Sequence, residues 1–173
     1  MPAYALLLRA VNVGGTGKLP MLTLRSMITA GGASEARTIG ASGNAVFAAP
    51  HAPEVIATHV TQTLTERFGK PATVFTRDVA SIEDALGQNP FPDADPARIA
   101  FLFLDGPVPP SPEDEARHLG KERILPGPNL LYIHYPDGMG RSKLQHPAMA
   151  TGTARNLNTV RKLLDAMKAL ESK

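Results

Sequence analysis

The hydrophobic positions of the first 80 residues alternate between two periods. Tyr4-Ala-Leu-Leu-Leu-Arg-Ala-Val11 is a near-continuous apolar run and predicts a central strand. A glycine-rich loop, Asn12 to Leu19, follows it. Pro20 suits a first helical position, and Met21, Leu24 and Ile28 then recur at helical spacing until Gly31-Gly32 stops them. Ala36 to Ala41 reads as a strand, Ser42-Gly43-Asn44 as a tight turn and Ala45 to Ala48 as the return strand. Pro53 opens a second helix with Val55, Ile56, Val60, Leu64 and Phe68 along one stripe, closed by Gly69. Thr73 to Arg77 completes the series β-α-β-β-α-β, the ferredoxin-like pattern.

The second half has the same flavour with weaker periodicity. Ser81 and Asp84 form a capping box for a short helix ending near Gly87. Asn89 to Pro96 is a Pro/Asp-rich linker, which divides the chain into residues 1–88 and 89–173. Arg98 to Leu104 predicts a buried strand, and Ser111-Pro112-Glu113-Asp114 a helix start. Glu122–Leu125 and Leu130–Tyr135 pair around the turn Pro126 to Asn129, and Lys143 to Met149 forms a short helix. The last helix carries Leu157, Val160, Leu163, Leu164, Met167 and Leu170 on one face, with Thr151 or Thr153 as its cap. The expected fold is α+β: a ferredoxin-like first half, a second related α+β subdomain of order β-α-β-β-α-α, and a C-terminal amphipathic helix. The second half partly echoes the first, without a repeat visible in the residues.

Composition narrows the chemistry. There is no cysteine among the 173 residues, which removes thiol nucleophiles and cysteine-ligated metals. It also favours a reducing compartment, and the expected location is cytoplasmic. No run is long enough for a membrane span. The net charge of +2 is unevenly placed: +3 over residues 1–48, −6 over 49–137 and +5 over 138–173. Two basic ends flanking an acidic middle call for an anionic partner, or for mutual attraction within the fold.

Three stretches carry candidate chemistry. Asn12-Val-Gly-Gly-Thr-Gly-Lys18 lies between a strand and a helix, where backbone amides can hold an anion. It is not a P-loop, because Asn12 and Leu19 stand where glycine and Ser/Thr are required. Ser42-Gly43-Asn44 is first a hairpin turn, and Gly40-Ala-Ser-Gly-Asn44 fails the nucleophile-elbow pattern at its last position. Arg155, Asn156, Asn158 and Thr159 crowd the start of the last helix, where an arginine opposes the positive end of the dipole. The histidines His51, His59, His118, His134 and His146 have no spacing that demands a triad or a metal, and no cofactor is implied.

These stretches resemble the family called domain of unknown function 1697. The resemblance rests on Ala5-Leu-Leu-Leu-Arg9-Ala-Val-Asn12-Val-Gly-Gly15, Pro20-Met21, Leu24-Arg25, Arg37-Thr38, Ser42-Gly43-Asn44 with Val46-Phe47, and Asn89-Pro90-Phe91. Near the end it continues in Ser142-Lys143-Leu144 and Thr153-Ala-Arg155-Asn156-Leu-Asn158-Thr159-Val160. The chain departs from the family pattern at Ala10, Ile39, Ala41 and Leu157, where relatives show glycine, an aromatic, glutamine and tryptophan. The resemblance implies an α+β fold with ferredoxin-like subdomains and no particular activity.

The expected binding residues are Arg9, Asn12, Gly14, Gly15, Lys18, Ser42, Asn44, Ser142, Lys143, Arg155, Asn156 and Asn158. They are expected to meet in a basic cleft between the halves and to hold a phosphate- or carboxylate-bearing ligand, a nucleotide or a nucleic-acid backbone. Arg9 and Arg155 grip the anion, Lys18 and Lys143 add point charge, and the asparagines orient the guest. Two alternatives stand beside this. One is a transferase or hydrolase of a phosphorylated metabolite, drawing its base from Asp78, Asp105 or a histidine. The other is an interaction scaffold with no small-molecule site.

Overall fold

The computed structural model describes residues 1–9 and 19–173. Among them are two four-stranded antiparallel sheets, several helices and a C-terminal helix, the mixed α+β architecture expected from the sequence. The chain divides into two compact units: Met1–Ala80 with Lys162–Lys173, and Ser81–Arg161. The division thus falls at Ala80 and again inside the last helix, not within the Asn89–Pro96 linker.

In the first unit β1 (Ala3–Leu8), α1 (Met21–Ala30), β2 (Glu35–Ile39), β3 (Asn44–Ala48), α2 (Pro53–Phe68) and β4 (Val74–Asp78) follow in the predicted order. The sheet order is β2-β3-β1-β4, with every neighbour antiparallel. The alternation of β1 sends Leu6 and Leu8 to one face, where they meet Ala45 and Phe47 of β3. Leu24, Met27 and Ile28 of α1 and Ile56, Val60 and Leu64 of α2 close over this face. Each such side chain contributes about 1.5–3 kcal/mol by leaving water. Gly69 ends α2 with φ 68°, and its N–H donates to Thr65 O, a left-handed cap that suits glycine. At the other end of the sequence, Glu171 Oε2 accepts from Ala3 N at 3.2 Å and Lys173 Nζ donates to Glu35 at 2.8 Å. These bonds tie residues 162–173 to the first unit.

The second unit contains β5 (Ile99–Phe103), β6 (Arg123–Gly127), β7 (Leu130–His134) and β8 (Thr153–Asn156). Their order is β6-β7-β5-β8, again antiparallel throughout. Helix α3 (Val79–Gly87) leaves β4 directly, two residues before the expected cap at Ser81, and α4 (Leu157–Glu171) leaves β8 in the same way.

Three expectations for this half are corrected. Ser111–Asp114 starts only a 3-10 turn, Pro112–Glu115, because Glu113, Asp114 and Glu115 offer no apolar stripe to bury and Arg117 is drawn into a bridge with Gln145. Lys143–Met149 is likewise a 3-10 turn, limited to Pro147–Ala150. Thr153 does not cap α4. It lies in β8, and the cap is Asn156, whose Oδ1 accepts from Thr159 N at 2.9 Å. The strand Thr-Ala-Arg-Asn has no apolar alternation. Its backbone pairing with β5 defines it, and that pairing is invisible locally.

Candidate functional site

In the first unit the expected residues cluster at one end of the sheet. Arg9 follows β1, and its N–H donates to Thr73 O at 3.1 Å. Leu8 N donates to Gly43 O at 2.9 Å, which brings the Ser42-Gly43-Asn44 turn beside it. Gly43 has φ 87°, and a Cβ there would lie 2.9 Å from Leu8 Cβ, so the turn needs glycine for both reasons. Asn44 is buried in register with Leu7 and donates from Nδ2 to Ser42 Oγ at 3.1 Å. Its amide therefore helps to shape the hairpin. Asn12, Gly14, Gly15 and Lys18 lie outside the described residues.

The remaining expected residues belong to the second unit. Ser142 Oγ accepts from Leu144 N at 3.1 Å, a local turn contact, and Lys143 is exposed. Asn156 caps α4, and Asn158 is exposed on the first turn. Arg155 is half-buried on the edge strand β8, in register with Phe101. Its guanidinium NH1 donates to Thr153 Oγ1 at 2.6 Å and to Ala154 O at 2.8 Å, both neutral oxygens. Burial pulls the Arg155 pKa down to about 10, so the folded surroundings resist its charge. Arg9 and Arg155 fall in different units.

A feature that sequence reasoning missed lies in the second unit. Arg117, Gln145, His146, Pro147 and Met149 line a groove of about 410 Å³. Arg117 and Gln145 meet through reciprocal backbone bonds of 2.8 and 2.9 Å, a pairing between distant segments with no local signature. His146 is buried beneath them. Its Nδ1 accepts from Ala148 N at 3.0 Å, so Nε2 carries the proton and donates to Pro112 O at 3.0 Å. Both ring nitrogens are thereby engaged in holding two loops together. Among the described residues no group of three His, Asp or Glu could hold a metal ion, and no helix is long and apolar enough to cross a membrane.

Comparison with known proteins adds two findings. A family model described as a protein of unknown function, DUF1697, matches residues 1–132. The fold is similar to that of the conserved bacterial protein SP0830 from Streptococcus pneumoniae, with TM-score 0.77, 23% identity, and coverage of 96% of this chain and 98% of that one. No curated protein matches the sequence.

Proposed function

We propose, for a chain that belongs to the DUF1697 family, that it binds a small ligand through a phosphate or carboxylate group, with Arg155 as the principal contact. The carrying observation is the half-buried Arg155 guanidinium set on the oxygens of Thr153 and Ala154. A guanidinium can hold a carboxylate or phosphate through two parallel bonds. Exposed Lys143 and Asn158 lie in the same unit as further contacts. Asn156, Ser142 and Asn44 bring less to a ligand, since each already serves a cap or a turn. The split β-α-β order of the first unit supports the ferredoxin-like reading, and the absence of cysteine supports a cytoplasmic one.

A small ligand is favoured over single-stranded nucleic acid. Phe47, Phe75, Phe101, Phe103 and Tyr132 are fully buried, so these rings cannot stack on bases. Of the candidate bases of the enzymatic alternative, His146 has both ring nitrogens engaged, and Asp78 and Asp105 are exposed.

The test is a thermal-shift series with inorganic phosphate, nucleotides and dicarboxylates on wild type and Arg155→Gln. Stabilisation of the wild type alone is expected. Equal shifts in both proteins remove Arg155 from the site.

A further inference from the structure

We infer that the groove over His146 is a second binding site, shaped for a carboxylate with an amide next to it, in which Arg117 holds the carboxylate and Gln145 the amide. It shares no residue with the reading of Arg155 and is independent of it.

The floor of the groove joins two segments far apart in the chain. Arg117 N donates to Gln145 O at 2.8 Å and Gln145 N to Arg117 O at 2.9 Å, an isolated antiparallel bridge. Two residues that exchange both bonds stand directly opposite, with their side chains on one face and their Cβ atoms roughly 5 Å apart. The stretch around Gln145 alternates: Leu144 and His146 are buried, while Gln145 and Pro147 are exposed. Leu144 packs on the same core cluster as Ala116, which precedes Arg117. His146 adds its bonds of 3.0 Å to Pro112 O and from Ala148 N. The backbone beneath Arg117 and Gln145 is therefore held by the core and by a buried ring, and both residues present their side chains outward.

Those side chains are not used by the fold. Among the described residues neither the Arg117 guanidinium nor the Gln145 carboxamide has a hydrogen-bond or ion-pair partner. His118, directly after the bridge, has φ 56°, a left-handed conformation that strains any residue with a side chain. Strain of this kind persists only where the surroundings fix it, and it concentrates at binding sites.

The lining selects the ligand. A groove of about 410 Å³ has room for one acylated amino acid. Arg117 offers donors only, in a planar fork that matches a carboxylate. Gln145 offers a donor and an acceptor side by side, the complement of a secondary amide. Pro147 and the unbranched Met149 supply an apolar wall that adapts to a side chain. Neighbouring guanidinium and carboxamide thus read a carboxylate and the amide beside it, the chemistry of a peptide's carboxy-terminus and of a free acylated amino acid. With both nitrogens of His146 engaged, no lining residue serves as a general base, and the site holds its guest without turnover.

The experiment is an NMR titration of the 15N-labelled full chain, read at the backbone amides of residues 116–118 and 145–149. The probes are N-acetylleucine, its carboxamide N-acetylleucinamide, isocaproate, and a short peptide ending in leucine with a free carboxylate. N-acetylleucine is expected to move these signals. N-acetylleucinamide, which lacks the charge, and isocaproate, which lacks the amide, should bind about tenfold more weakly. Arg117→Gln should reduce the affinity for N-acetylleucine to that for its carboxamide, with the bridge amides of 117 and 145 still protected from hydrogen exchange. A preference for the peptide assigns the site to a protein terminus and a preference for N-acetylleucine to a free metabolite, and either supports it. Equal binding of N-acetylleucine and its carboxamide by the wild type overturns the inference with no variant needed. Absence of shifts at these positions with both the acid and the peptide overturns it as well. Shifts confined to 157–160 do the same and leave the Arg155 reading standing.

Discussion

The two units build the same strand order with different means of covering it. The first lays two α-helices over one face of its sheet, and its core is a continuous cluster of Leu, Ile, Met and Phe. In the second, the connections at the corresponding places contain only the 3-10 turns Pro112–Glu115, Met139–Arg141 and Pro147–Ala150. Here the fit relies on individually placed groups. His146 joins two loops, Tyr132 Oη donates to Ala85 O at 2.6 Å, and Gly127 leaves room for the Tyr132 ring. The difference teaches that a sheet topology tolerates the loss of the α-helices in those two connections when buried polar contacts and glycine clearances take over the positioning. The helix-covered core of the first unit should therefore be sensitive to removed methyl groups, and the packing around Tyr132 in the second to added ones.

The largest effect is expected at Gly127→Ala. A Cβ there would lie 2.9 Å from Tyr132 Cζ and closer still to its Cε2, both in a fully buried ring. The expected cost in urea denaturation is about 3 kcal/mol. Gly40→Ala in the first unit is the control: φ is +67° but nothing lies within 4 Å, so only backbone strain of about 1 kcal/mol is expected. Equal costs at the two glycines would break the comparison. His146→Ala should cost about 2 kcal/mol by stranding Pro112 O and Ala148 N. The wild-type imidazole should show the Nε2–H tautomer by 15N NMR, and an Nδ1–H signature would contradict the contact.

Tyr132→Phe should cost about 1 kcal/mol for one buried hydrogen bond. It also tests alkaline stability. Burial, aided by the charge of Asp84, pushes the phenol from 10.0 up to about 12. Its stabilising contribution is therefore full below pH 10 and lost as pH rises through about 12, and the variant should flatten that decline in a pH series of melting temperatures.

The smallest effect is expected at Glu113→Gln. The carboxylate bonds to Arg123 Nε at 2.8 Å and accepts from Ile124 N, and these contacts lower its pKa. The loss should be about 0.5 kcal/mol at neutral pH, vanishing as acid protonates the wild-type group below the ordinary carboxylate range.

The legibility of the chain in its sequence follows the same divide. Leu24 and Ile28, and Ile56, Val60 and Leu64, announce α1 and α2 because local period and tertiary burial agree. The acidic 3-10 turn Pro112–Glu115 and the strand β8 are decided by long-range pairing, with Gln145 in one case and with β5 in the other. Arg155 was visible as a misplaced cation at a helix start. The His146 groove was hidden because only the bridge to Gln145 brings Arg117 against the stretch 145–149.

The terminal helices carry one more implication. The segment after β4 is counted with the second unit, while residues 162–173, after β8, return to the first, where Glu171 meets Ala3. During synthesis on a ribosome, the unit that emerges earliest is thus the last to be completed, waiting on residues 162–173. A nascent chain stalled at the Asn89–Pro96 linker would present an unfinished first unit to the chaperones, and a product severed there would leave each piece holding a helix that belongs to the other.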